Sequence, residues 1–546
     1  MSIRKILFLL VVVTLAVISA VDKAAAQSAV PDEVLNRVVA QEQALTKELA
    51  QYTPLVETYL QNLEPNEDLG TIPRSDNYFL GKVNLANGVS RNSFFSERGL
   101  TQSLLSGLHS VKYVPEGFAQ MIIMDTSRFD RDHYGFEYIR RECLGEVRCI
   151  VFDVTPKVAN MSGAFLGRIW VEDQDYHVVR FNGTYTNPGS SKVYFHFDSW
   201  RQEMGPHHWL PSYVYSEDSN RPHIPTSKGL HFKAQTRIWG YGPRHLGSEN
   251  EFTSLTVDSG AVVDHGDVVE ESSPVLSQRA WDREAEQNVL QRLEKAGLLA
   301  PQGAVDKVLE TVVNNLAAAN ELAIEPDVHC RILLTSPLES FTVGHTIIVS
   351  RGLIDVLPDE ASLAMILAHE LGHIASGHRL DSKYGFSDRM VFEDFEAFHN
   401  VFIKRDDREE KQADQKGIEF LRNSPYKDHL ASAALFLRAL SERSKRLPNL
   451  LNGTMGNRLA AKGETLRMPE LMQAAPTLEL NRIDQIAALP LGARVRVDPW
   501  NNTIELMKTK PVHLISAGEK LQFEIAPIHL YLTRQNDEAK TAGKNQ

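Results

Sequence analysis

Two histidines four residues apart, with a glutamate directly after the first, form the segment His369-Glu370-Leu371-Gly372-His373. On an α-helix, positions i and i+4 lie one above the other on a single face. Two imidazoles so placed can grip one zinc ion, and the glutamate between them stands beside it as a general base. A lone histidine on an apolar helix is ordinarily a core residue satisfied by one hydrogen bond. The pair at this spacing, with a carboxylate alongside, is the donor arrangement of a metal hydrolase.

A catalytic zinc takes three protein donors and leaves the fourth position to water. His378 lies five residues beyond His373, about 140° around a helix that continued that far. The long zinc motif needs its third histidine six residues on, and that position is Arg379. Gly377 can end the helix just before, so His378 is expected next to the metal centre rather than on the metal. A better donor lies in "RDDREEKQADQKGIEFL", residues 405–421, where Glu410 and Asp414 are four apart on an expected helix. Glu410 can complete a His₂Glu set, and Asp414 can bond to a ligating histidine and fix its tautomer. With Glu409, Lys411 and Lys416 beside them, the same residues also have the composition of an ordinary charged surface helix.

The elements around these donors are readable in outline. "LPDEASLAMILAHELGHI" carries Pro358 and Asp359 where a helix start favours them, and Leu363, Ile366 and Leu367 give it a face to bury. Upstream, Val305, Val308, Leu309, Val312 and Leu316 mark a second amphipathic helix, followed by short strands at "RILLT" and "TIIVS". Tyr384, Phe386, Phe392, Phe395 and Phe398 fall in the charged connection 380–407, which is expected to lid the cleft.

HExxH on one helix and Glu410-Lys411-Gln412-Ala413-Asp414 on the next resemble the gluzincin peptidases that include the CAAX prenyl proteases, HtpX, the mitochondrial OMA proteases and periplasmic BepA. The resemblance spans roughly residues 285–485. It implies one zinc per chain held by His369, His373 and Glu410, with Glu370 catalytic and Asp414 and His378 in support. "GHTIIVSRGLIDVLPDEASLAMILAHE" also resembles the edge strand and connection that precede the active helix in that family. Gly344, Thr346, Ile347 and Ile348 are thus expected to hold an extended substrate by strand addition. One departure stands out. The family places a histidine of a His-Pro pair near the metal, and the corresponding stretch "QAAPTLELNRI", residues 473–483, has Ala475 there. Another group must then stabilise the oxyanion, or the metal must do so alone; His345, Tyr384 and Arg482 are the nearest guesses.

The remainder of the chain sets location and accessory parts. Arg4 and Lys5, an apolar run from Ile6 to about Ile18, and Ala24-Ala25-Ala26 read as a secretory signal peptide over residues 1–26. The expected location is therefore exported, periplasmic or secreted, and bacterial, with no transmembrane helix once the signal is removed. In an oxidising compartment Cys143 and Cys149, bracketing a hairpin, are expected to form a disulfide. The net charge of −12 becomes about −14 without residues 1–26, which disfavours nucleic acid and anionic membrane surfaces as partners.

Residues 31–63 read as an amphipathic helix, with Leu35, Val38, Leu45, Leu49 and Tyr52 near one face and Pro54 breaking or kinking it. From about 110 to 262 the period becomes two, as in "KVYFHF" and "HFKAQTRIW", which indicates antiparallel strands with one buried face. "CIVFDVTPKVANMSGAFLGRIWVEDQDYHVVRFNGTY" resembles outer-membrane lipoprotein-sorting domains. That implies contact with lipid or lipoprotein; an accessory domain without a ligand is the competing reading.

The expected fold class is α+β. An accessory domain over 27–262 pairs a helix with an antiparallel sheet, 263–280 is a linker, and a mainly helical zincin-type domain with a small edge sheet follows over 281–485. A β-rich segment and polar tail close the chain over 486–546. The expected function is a zinc endopeptidase for unfolded or flexible exported or envelope proteins. The alternatives are a metal-binding periplasmic chaperone or assembly factor with residual proteolysis, and a lipid or lipoprotein carrier working through the β domain.

Overall fold

The computed structural model describes residues 32–67, 70–83, 92–93, 118, 121–125, 128–157, 164–186, 195–218, 231–241, 274–379, 405–453, 455–473, 475–479, 495–498, 503–506 and 523–534. The expected signal peptide, residues 263–273 of the expected linker, the aromatic connection from 380 to 404 and Arg482 lie outside them.

Helix α1 spans Asp32–Leu49 and buries Val38, Leu45 and Leu49. It stops short of Pro54, and the chain enters strand β1, Leu55–Asn66. The expected single helix over 31–63 is therefore corrected in its second half. In "LVETYLQNL" Leu55 and Tyr59 pack into one cluster and Val56 and Leu60 into another. That two-residue alternation between faces is a strand's geometry.

Strands β2 (Gly70–Lys82), β3 (Asn92–Ser93), β4 (Tyr134–Leu144), β5 (Val147–Pro156), β6 (Phe165–Glu172), β7 (Val178–Tyr185), β8 (Phe195–Gly205), β9 (His208–Asp218) and β10 (His231–Trp239) complete the large sheet. Its order is β3-β2-β1-β10-β9-β8-β7-β6-β5-β4, ten strands among the described residues. Every pairing is antiparallel. Helix α1 lies on one face, fixed by a buried bidentate pair in which Arg201 donates to both carboxylate oxygens of Glu42 at 2.7 Å.

The hairpin cysteines do not pair. Cys143 stands opposite Arg148 and Cys149 opposite Glu142, so the pleat sends the two sulfurs to opposite faces. Both thiols are free, Cys143 exposed and Cys149 buried. Burial pushes the Cys149 thiol up to about 12.

Helices α2 (Pro274–Lys295) and α3 (Ala304–Ala319) open the second half, α2 starting inside the expected linker. Three strands follow: β11 (His329–Leu333), β12 (Ser340–Val343) and β13 (Thr346–Ser350). Their order is β11-β13-β12. The stretch holding Thr346, Ile347 and Ile348 is thus the central strand, with both edges paired. Gly344 sits in the turn before it at φ +57°. The expected substrate edge is corrected: the sheet's edges are β11 and β12, the latter being Ser340–Val343.

Then come α4 (Arg351–Val356), α5 (Glu360–Ala375), α6 (Asp407–Arg422), α7 (Leu430–Arg443), α8 (Pro448–Leu451), the hairpin β14 (Ala460–Ala461) and β15 (Glu464–Thr465), α9 (Pro469–Gln473), and the hairpin β16 (Val495–Asp498) and β17 (Thr503–Leu506). The second face of the large sheet shares one apolar cluster with these helices, joining Tyr59, Trp170, Trp200 and Trp239 to Leu293, Leu309, Leu353 and Leu367. The molecule is α+β, with α1 and the helical half on opposite faces of one sheet. The C-terminal segment crosses back over that second face. Gln61 donates to the Phe523 carbonyl, His529 packs edge-on against Trp200, and Arg534 pairs with Glu172 at 2.7 Å.

Candidate metal centre

Helix α5 is deeply buried, with every residue from Ala361 to His373 inside. Asp359 caps its start, accepting from the Ser362 amide at 2.8 Å. Its end is a Schellman turn. The His378 amide donates to the His373 carbonyl at 3.1 Å and the Gly377 amide to Ile374 at 3.0 Å, with Gly377 at φ +69°. That left-handed residue folds His378 back against His373. Helix α6 is capped by Asp406, which accepts from the amides of Arg408 and Glu409. Glu410 falls in its first turn and Asp414 one turn on, so both face α5.

The two helices approach closely because small residues meet at the crossing. A Cβ added at Gly372 would lie 2.6 Å from the Ala413 carbonyl oxygen, and one at Gly417 would lie 3.0 Å from that of Ala368. This contact brings Glu410 to the histidines. Its Oε2 is 3.4 Å from His369 Nε2, its Oε1 is 3.3 Å from His373 Nε2, and the two Nε2 atoms are 3.1 Å apart.

The second ring nitrogens assign the tautomers. Nδ1–H of His369 donates to Asp414 at 2.8 Å. His378 Nε2–H donates to the Gln412 side-chain carbonyl at 3.2 Å, which leaves its Nδ1 to accept from His373 Nδ1–H at 2.9 Å. Both Nε2 lone pairs therefore point at each other and at a carboxylate, a repulsive arrangement that a cation relieves. The three separations also match the edge of about 3.3 Å of a tetrahedron with zinc–ligand bonds of about 2.0–2.1 Å. Among the described residues these three are the one group able to hold a metal ion, and their geometry fits zinc. Burial pushes the Glu410 carboxyl upward, but the two histidines and Arg467 overcome it and hold it well below the usual carboxylate range.

Glu370 is 1 % exposed. Its Oε1 accepts from Ser340 Oγ at 2.7 Å and from Arg467 Nη1 at 2.7 Å. Burial raises this carboxyl too, and Arg467, His369, His373 and Ser340 together pull it below its ordinary value. Arg467 also reaches the Ser340 carbonyl through Nη2 at 3.1 Å, and its Nε stands 3.9 Å from Glu410.

Sequence reasoning missed Ser340 and Arg467, since neither belongs to a recognised spacing. Ala475, aligned with the histidine of the family's His-Pro pair, packs at the rim of the core, and its carbonyl accepts from Arg438 at 3.3 Å. The chain enters the site earlier, at Arg467-Met468-Pro469. His345 is exposed and bonded through Nδ1 to the Pro326 carbonyl.

Residues 304–392 match the family model of Peptidase family M48. This supports a metallopeptidase, acting on protein, in a family whose members depend on zinc. No curated protein matches the chain. Among solved structures, a LolA superfamily protein from Nitrosomonas europaea is similar at a TM-score of 0.21 and 9 % identity, covering 40 % of this chain and 96 % of that one. A DUF1329 family protein from Desulfovibrio piger is similar at a TM-score of 0.20 and 10 % identity, covering 39 % of this chain and 95 % of the other. No helix among the described residues is long and apolar enough to cross a membrane.

Proposed function

We propose that this metallopeptidase domain is a zinc-dependent endopeptidase that cleaves unfolded or flexible chains among exported or envelope proteins. The observation that carries the reading is the convergence of two imidazole lone pairs and the Glu410 carboxylate, with Glu370 beside them. Zinc bound there would supply a polarised carbonyl and a water acidified to a pKa of about 7.

The chain's own residues do the rest. Asp414 and the His378–Gln412 pair hold the two ligating rings in the tautomer that offers Nε2. The described hydrogen bonds to the Glu370 carboxylate both fall on Oε1, so Oε2 is the atom assigned to take the water's proton and pass it to the leaving amine.

An extended substrate would meet the edge strand β12. Since the Glu339 carbonyl accepts from Ser350 in the neighbouring strand, alternation turns the backbone groups of Ser340 and Thr342 outward; Arg467 takes the Ser340 carbonyl, which leaves those of Thr342 to an added strand. Strand addition there needs a locally unfolded substrate. The amino-terminal sequence, with its basic start, apolar run and small-residue triplet, supports an exported location.

Glu370→Gln tests the mechanism. It should keep zinc at one per chain and lose casein hydrolysis by at least about a hundredfold. Zinc-loaded Glu370→Gln protein that cleaves casein at the wild-type rate would defeat it.

A further inference from the structure

We infer that Arg467 is a positioning residue that clamps the general base Glu370 to Ser340 of the edge strand β12. The inference rests on the peptidase reading and adds to it a residue that no motif supplies. Arg467 Nη1 bridges Glu370 Oε1 and Ser340 Oγ, each at 2.7 Å, while Nη2 takes the Ser340 carbonyl at 3.1 Å. One planar guanidinium thus ties together the carboxylate that moves the proton and the buried hydroxyl and carbonyl of Ser340 at the start of β12. A lysine ammonium lacks this fork and cannot hold both in fixed relation.

The burial shows how much is invested in the contact. Arg467 is 3 % exposed and Glu370 1 %. Two desolvated charges persist only with good geometry and further hydrogen bonds, and Ser340 supplies those bonds.

The backbone around Arg467 is also constrained. Met468 is held at φ +44°, a left-handed conformation that is strained for a side-chain-bearing residue. Its side chain is fixed in the core, where a Cβ at Gly417 would come within 2.4 Å of Met468 Cε. The Thr465 hydroxyl caps the other side, donating to the Arg467 carbonyl at 2.8 Å. A strained residue, pinned on both sides and delivering a guanidinium to a catalytic carboxylate, belongs to pre-organisation rather than to packing.

The clamp sets where Glu370 stands relative to the scissile bond. With Oε1 fixed by Arg467 and Ser340, the other oxygen is aimed. Without the clamp the carboxylate can rotate, and a displacement of about 1 Å costs on the order of a hundredfold in rate.

The test uses full-length protein. Arg467→Ala should keep one zinc per chain and KM within about threefold, while kcat falls about a hundredfold. Millimolar guanidinium should restore at least about tenfold of that loss, and Arg467→Lys should stay well below wild type. A second readout needs no catalysis: guanidinium should raise the Tm of Arg467→Ala above an equal-urea control but leave Arg467→Ala/Glu370→Gln unshifted, because the anchoring carboxylate is gone. If Arg467→Ala does not fold, Ser340→Ala, which removes the other bond to Oε1, should lower kcat about tenfold with zinc retained. Full kcat in Arg467→Ala, or in Ser340→Ala where that variant stands in, overturns the clamp. So does guanidinium that moves neither kcat nor Tm. Zinc-loaded wild type that leaves casein intact would instead defeat the peptidase reading, and the Tm comparison would still decide the clamp.

Discussion

At the scale of the residue, the centre is a problem in proton placement. His369 and His373 serve a metal only if each carries its proton on Nδ1, and the chain arranges this by two different routes. Asp414 accepts directly from one ring, while the other donates to His378, which donates in turn to Gln412. Partners of this kind are worth about ten- to a hundredfold in metal affinity. Asp414→Ala and His378→Ala should each weaken zinc binding within that range in a chelator competition, with Asp414→Ala the more severe because a charged acceptor is lost. Unchanged affinity in both would mean the rings are oriented some other way.

The grouping of His369, His373, Glu410 and Glu370 was legible because helical spacing translates directly into shared faces. Ser340 and Arg467 were not: they reach the site from a strand and a post-hairpin turn, where position depends on tertiary packing. Arg467 leaves one faint trace, a cation set between Leu466 and Met468 just before Pro469.

At the scale of the element, the site depends on how closely α5 and α6 cross. Gly372 lies inside the histidine motif, yet its role is steric: a methyl there would stand 2.6 Å from the Ala413 carbonyl oxygen. Since the obstacle is backbone, the helices must separate and carry Glu410 away from the imidazoles. Gly372→Ala should destabilise the protein by about 1–3 kcal/mol and weaken zinc binding along with it. Thermal unfolding and zinc titration of the same variant check this, and a stable variant with full affinity would contradict it.

Strand order was the element-level error. "TIIVS" looked like an edge, but it pairs with β11 on one side and β12 on the other, a placement that depends on tertiary packing. The helix read over 31–63 failed for another reason. Residues 55–61 are buried on both faces, so helical and strand periods are hard to tell apart in that run.

At the scale of the whole molecule, the large sheet is structurally continuous with the helical half. Its second face is part of the core that also holds the metal helix, and polar contacts join the two. Glu57 of β1 accepts from the Ser336 amide at 2.6 Å and its hydroxyl at 2.8 Å. Asp76 of β2 accepts from the amides of Asn449 and Leu450 at 3.1 and 2.7 Å. The sequence revealed the sheet's presence but not this shared core, because both halves have ordinary amphipathic patterns and no motif records which faces meet.

Asp76 makes the junction pH-dependent. Burial raises its carboxyl to about 6 despite those hydrogen bonds, so the folded state binds a proton more readily than the unfolded chain, whose carboxyl titrates near 3.9. Stability should therefore fall as pH rises from about 4 to about 6 and level off above, by about 3 kcal/mol from this group. Asp76→Asn removes the dependence, so its Tm relative to wild type should climb across that interval. A flat or falling difference would show that the carboxyl is not desolvated in this way.

The most direct test of the account is zinc-edge anomalous diffraction from crystals of the zinc-loaded protein. It should show one peak per chain, about 2.0–2.2 Å from His369 Nε2, His373 Nε2 and one oxygen of Glu410, with no fourth protein donor. A peak held by His378 in place of Glu410, a fourth protein group closing the site, or no peak between α5 and α6 would contradict it.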